Sequence, residues 1–150
     1  NATDDELKKA YAEIAQAGAL AITTEEAPEF RDTEAYNDRK FLTQYFKKTK
    51  DCGWGVDAFN GCFAESYKND GMDYDFKQEL RDDCHCISTK SGYSICLNAY
   101  GDGILDINGK KAPNKIGKDA FTIGIAKDGS IDTGYSMSLD DIVDNNWEIE

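Results

Sequence analysis

Apolar residues recur at three- and four-residue intervals in the first part of the chain. Leu7, Ala10, Tyr11, Ile14, Ala17, Gly18 and Ala21 line one face and charged residues the other. That period is helical and predicts a first helix within residues 1–22, its amphipathic part running from about Asp4 to Ile22. Thr3 followed by Glu6 reads as a capping box, and Asp4 and Asp5 suit the positive helix end. A second amphipathic run over residues 33–50 carries Tyr36, Phe41, Leu42, Tyr45 and Phe46, with Lys47, Lys48 and Lys50 where a helix is negative. Aromatics at this spacing belong to a core more often than to a ligand platform. From Cys84 the period shortens to that of a strand, in the runs Cys84 to Thr89, Tyr93 to Asn98, Ile104 to Ile107 and Ala120 to Ala126. Ser91-Gly92 and Asp128-Gly129 mark hairpin turns. Helices first and strands afterwards give an α+β class, with the helices packed on an antiparallel sheet of about four strands over residues 84–135. An acidic tail, residues 136–150, places Leu139, Ile142, Val143 and Trp147 at near-helical spacing.

Between the last two strand runs lies Asp106-Ile-Asn-Gly-Lys-Lys-Ala-Pro-Asn-Lys-Ile-Gly-Lys-Asp119-Ala-Phe. Asp106, Asn108, Asn114 and Asp119 supply side-chain oxygens, while Gly109, Pro113 and Gly117 permit the reversals that would gather them. Two readings stand side by side. Asx-turns at a hairpin end need no metal. Calcium suits the same donor set, because it accepts carboxylate, amide and carbonyl oxygens in flexible geometry. The loop is not an EF-hand: counted from Asp106, Lys111 stands where that loop needs glycine and Gly117 where it needs a bidentate Glu.

A chain of 150 residues fits one domain with a sizeable core, here the whole of residues 1–150. The formal net charge of −12 disfavours direct binding to nucleic acid or to an anionic membrane surface. A DNA contact would need a local basic patch, and its candidates are Lys47, Lys48 and Lys50, or Lys110, Lys111, Lys115 and Lys118. No apolar run approaches the roughly eighteen residues of a membrane span, and no signal peptide is visible.

Five cysteines in a small acidic chain favour an oxidising compartment. Cys52 and Cys62 enclose a glycine-rich segment, residues 52–62, that is supple enough to close as a disulfide. A three-residue turn at Lys90-Ser91-Gly92 would set Thr89 against Tyr93 and Cys86 against Cys96. That leaves Cys84 over, although a change of register would exchange Cys84 for Cys86. Cys84-His85-Cys86 is a poor local zinc site, since alternation turns His85 away from the two cysteines, and no Cys-x-x-Cys knuckle supports a distributed one. A lone His85 reads as an ordinary surface histidine rather than a catalytic base. No Gly-x-Ser-x-Gly elbow, P-loop, dinucleotide fingerprint or His-Glu-x-x-His is present, so the residues point away from an enzyme.

The Asp106 to Phe121 string resembles the Asp-x-Asn-Gly-x-x-x-Pro-Asn-x-x-Gly-x-Asp-x-Phe segment of type IV pilin-like proteins, where it joins the last strands of the head domain. Leu42 through Cys52 and Gly61-Cys62-Phe63 also resemble the helix and small cysteine-closed loop of that family. The resemblance implies a structural subunit: a head domain whose first helix continues a hydrophobic N-terminal half that anchors a membrane-bound precursor and then packs into an extracellular filament with other pilin subunits. It implies that Cys52 and Cys62 close that loop and that the head is monomeric without the upstream half, while the residues themselves offer Asp106, Asn108, Asn114 and Asp119 to a structural calcium and pair Cys96 with Cys86, or with Cys84 in the other register. The alternative is a secreted calcium- or carbohydrate-binding module in which Trp54, Tyr67, Tyr74 or Trp147 stacks on a ligand.

Overall fold

The computed structural model describes residues 2–81, 83–132 and 139–147. Helix α1 spans Ala2–Glu25. Ala2 already belongs to it, so Thr3 lies inside the first turn rather than ahead of it, which corrects the capping-box expectation. Leu7, Ala10, Ile14, Ala17 and Ala21 are buried, as the helical period requires.

The expected helix over residues 33–50 is not continuous. Two short helices, α2 (Glu34–Asn37) and α3 (Phe41–Gln44), are separated by Arg39 at φ +58°, a left-handed conformation that ends α2. Lys48–Trp54 then forms a strand, β1, rather than a helix C-terminus. Pairing decides this: the segment runs antiparallel to β4 (His85–Thr89), with Lys48 opposite Thr89 and Trp54 opposite His85, a tertiary gain that a local helical period cannot report.

After α4 (Asp57–Cys62) come the hairpin strands β2 (Tyr67–Asn69) and β3 (Met72–Tyr74), turned at Asp70-Gly71. The main sheet then continues with β5 (Ser94–Leu97), β6 (Asp102–Asp106) and β7 (Ala120–Gly124), and α5 spans Leu139–Asp144. The fold is therefore α+β, with an N-terminal helix and a five-stranded antiparallel sheet ordered β1-β4-β5-β6-β7. The tail expectation falls partly outside the described residues (136–138 and 148–150). Within them Trp147 packs edge-on against Tyr11, with ring centroids 5.0 Å apart.

Alternation splits the sheet between two cores. Ile87, Ile95, Leu105, Phe121 and Ile123 face α1, whereas Cys84, Cys86, Cys96 and Ile104 face α4 and the small hairpin. Cys86 stands opposite Cys96 as the turn geometry predicted, and these two are disulfide-bonded. Cys52 on β1 is bonded to Cys62 at the end of α4, so that bridge ties the exposed edge strand to the second core. The 52–62 segment is thus part strand and part helix rather than a supple loop. Cys84 lies outside both bridges, its buried thiol donating to Gly55 O.

Candidate functional site

The four oxygen-bearing residues of the 106–119 loop converge. Asp106 closes β6 and Asp119 immediately precedes β7, and both are almost fully buried, at 0% and 2% exposure. Asp106 Oδ1 accepts from Asn108 N at 2.8 Å, an Asx-turn, and Gly109 N donates to Asp106 O at 3.1 Å. Asn108 Nδ2 reaches Pro113 O at 2.8 Å and Asp119 Oδ1 at 3.4 Å. Asp119 Oδ2 accepts from Lys115 N at 2.9 Å. Gly109 and Gly117, at φ +62° and +84°, occupy the left-handed conformation that makes these reversals accessible.

Sequence reasoning missed the residue that ties this loop to the rest of the head. Tyr67, on β2, donates its hydroxyl to Asp106 Oδ2 at 2.8 Å and accepts from Ala64 N at 3.1 Å. It is buried, so it is not the exposed sugar platform of the alternative reading. The Asp70-Gly71 hairpin signal would have revealed the strand, but nothing local reveals its partner. Lys68 on the same strand bonds the loop twice, Lys68 N to Asn114 O and Ile116 N to Lys68 O.

One terminal atom of the Asn114 amide lies 3.0 Å from Lys111 O and 2.8 Å from Asp106 Oδ2. Without a cation it must be the nitrogen, donating to both. Turned over, the amide would place a third oxygen there, and three oxygens so close are tolerable only around a cation. The donor set therefore fits calcium in chemistry, with two carboxylates, two amides and a backbone carbonyl at hand. Among the described residues no three His, Cys, Asp or Glu side chains group as a metal site, so amide and carbonyl oxygens would have to complete the shell.

Burial pushes the Asp106 carboxyl up to about 7, against the hydrogen bonds from Tyr67 and Asn108, and the neighbouring charge of Asp119 adds to the rise. Burial likewise raises Asp119. A carboxyl raised in the folded state binds its proton more tightly there than in the unfolded chain. Its contribution to stability is full below the unfolded value near 4 and is lost as pH rises towards about 7. In chelator, Asp106→Asn should therefore become more stable relative to the parent between about pH 5 and 8, by about 2.5 kcal/mol, levelling off above about pH 7. Paired thermal melts across that range test this, and a difference independent of pH would refute it.

At the opposite end of β4, His85 is 3% exposed, not a surface histidine as expected. Its Nε2 lies 2.9 Å from Asp51 Oδ1, and Trp54 stacks on its ring at 4.4 Å between centroids, with Arg39 4.8 Å from the Trp54 ring centroid. Burial raises the Asp51 carboxyl, but the hydrogen bonds from Gly53 and His85 and the charge of His85 outweigh it and hold it low. Because Trp54 is flanked in this way, it is a poor free platform for a sugar despite 52% exposure. Tyr74 is half-buried and bonded to Glu79, and Trp147 leans on α1. Cys52, Cys62, Cys86 and Cys96 are bridged, which removes them from any distributed zinc site. No described helix is long and apolar enough to cross a membrane. The chain matches no protein-family model, no curated protein and no solved structure.

Proposed function

We propose that this chain is the head domain of an extracellular filament subunit of the type IV pilin kind, and that its 106–119 loop is a structural clip able to take calcium. The observation that carries this reading is one arrangement: a 24-residue α1 lies by one face on an antiparallel sheet whose β6–β7 connection is the Asp106 to Asp119 loop. The helix supplies a stem that a filament can continue, and the loop locks a strand connection that shear would otherwise open. The two disulfides support the same reading, because they suit a head working outside the cell. The work is mechanical display and assembly, with other subunits as partners, and no nucleic-acid or catalytic role is assigned.

Electron microscopy of cells expressing the full-length chain, with antibody against this head, is expected to decorate filaments. A full-length product released into the medium and absent from filaments would overturn the reading in favour of a secreted binding module.

The calcium part has its own test. At free calcium one hundred times the dissociation constant, linkage stabilises the fold by about 2.7 kcal/mol, which raises the melting temperature by roughly 5–10 °C. The rise should be larger at pH 8 than at pH 5, because calcium needs Asp106 ionised and releases its proton. Calorimetry in chelator and then in calcium decides, and an unchanged melting temperature leaves the Asx-turn alone.

A further inference from the structure

Three lysines that are far apart in sequence meet in the fold. Lys50 Nζ lies 3.4 Å from Gly61 O, Lys110 Nζ 2.9 Å from Asn60 O and Lys77 Nζ 3.4 Å from Asn60 Oδ1, so three ammonium groups gather on the last turn of α4. All three contacts are exposed, and among the described residues none of these lysines forms an ion pair. Lys47, Lys48 and Lys90 stand at the same end of the sheet: Lys90 N donates to Lys47 O, Lys48 faces Thr89, and Ser94 faces Asp106. On a chain of net charge −12 this is a local patch of the minority sign.

The other end of the sheet is of opposite sign. Residues 25–38 carry Glu25, Glu26, Glu29, Asp32, Glu34 and Asp38 against a single arginine, Arg31. Glu25 is engaged with Glu34 N and Ala35 N, while Glu26, Asp32, Glu34 and Asp38 are exposed. This segment packs where β6 begins and β7 ends, since Phe30 N donates to Lys127 O and the Tyr36 ring lies beside Gly101. The loop with Lys110 lies where β6 ends and β7 begins, so the two patches are separated by the length of those strands, roughly 15 Å. Beside the acidic segment stand the two exposed aromatics Trp54 and Tyr100, each faced by an arginine, Arg39 and Arg81. Trp, Tyr and Arg are the side chains enriched at interface centres.

We infer that the lysine end of one copy docks on the acidic end of the next, a head-to-tail contact between copies of this chain. Such a contact is heterologous, so repetition gives an open array rather than a closed dimer. The overall negative charge opposes it, which keeps the isolated head monomeric in dilute solution, and tethering in an assembly raises the effective concentration enough to engage it. The inference rests on the filament reading for its biological setting, but its contact is testable without filaments.

The probe is a zero-length carbodiimide that joins lysine to carboxylate, applied to the concentrated 150-residue chain at low salt, with the linked residues read by mass spectrometry. Links from Lys50, Lys77 or Lys110 to residues 26–38 are expected, lost in 0.5 M salt as exposed charges are screened at about 4 Å. The triple variants Lys50→Glu/Lys77→Glu/Lys110→Glu and Glu26→Lys/Asp32→Lys/Asp38→Lys should each lose linked product at least about fivefold, and mixing them should restore it, because their reversed ends are complementary. Melting curves confirm that each variant is folded. Links elsewhere, no rescue on mixing, or lysine-dependent retention on heparin or single-stranded DNA without self-linking would overturn the contact, the last in favour of a polyanionic partner. Filaments built from full-length chains that carry either triple variant would sink this contact while leaving the filament reading intact. Head-to-tail links in a chain that enters no filament would do the reverse.

Discussion

Reducing the two disulfides is expected to lower the melting temperature by on the order of 15 °C. Each bridge closes a loop of sequence separation 10. The chain-entropy account gives about 3 kcal/mol for each, and a domain of this size loses roughly 2–4 °C per kcal/mol. The two contributions are not fully independent. Cys52 packs against the core cluster that holds Cys86 and Cys96, and its neighbour Gly53 pairs with Cys86, so the first bridge broken loosens the setting of the second. Set against a total stability of about 5–15 kcal/mol, the joint loss is large enough to leave the reduced head only marginally folded. Non-reducing peptide mapping should first recover Cys52 with Cys62 and Cys86 with Cys96. Five free thiols after preparation under oxidising conditions, or a melting temperature indifferent to reductant, would reject both the bridges and the extracellular setting they support.

Gly18→Ala is expected to destabilise by about 3 kcal/mol, although helix propensity alone argues that it should stabilise by about 1 kcal/mol. Gly18 is buried in α1 where the helix crosses the turn after β7, and a Cβ there would meet Gly129 O at 1.9 Å and Gly129 C at 2.5 Å. Both obstacles are backbone, so no side chain can rotate aside. Gly129 is itself held at φ +86° between Ala126 and Ser130 and cannot readily retreat. The helix must therefore lift from the sheet, thinning the contacts of Ala17 and Ala21 with the core. Ala19→Gly, one residue along on the exposed face, is the control: it lacks this contact and should cost only the propensity term of about 1 kcal/mol. Urea denaturation of the two variants separates the effects, and a Gly18→Ala protein as stable as its parent would show that the close approach carries no energy.

The apolar stripe of α1, the four strand runs from Cys84 onward and the register that sets Cys86 against Cys96 all follow from periods and turns within a few residues of one another. Local chemistry is enough there, because a helix face or a hairpin is chosen by neighbours along the chain. The gathering of Asp106, Asn108, Asn114 and Asp119 was legible for the same reason, since they belong to one loop.

Tertiary structure alone decided everything that depends on distant partners. Residues 48–50 fit the end of a helix and residues 52–54 the start of a loop until β4 offers all of them a ladder. Tyr67 reads as a candidate sugar platform until the fold seals its hydroxyl against Asp106, and His85 as a surface histidine until Asp51 and Trp54 close over it. The meeting of Lys50, Lys77 and Lys110 on α4 likewise joins three separate segments. The physical reason is common to all of them. Periodicity encodes which face of an element is buried, whereas the identity of the group that buries it depends on contacts whose free energy exists only once the whole chain has packed.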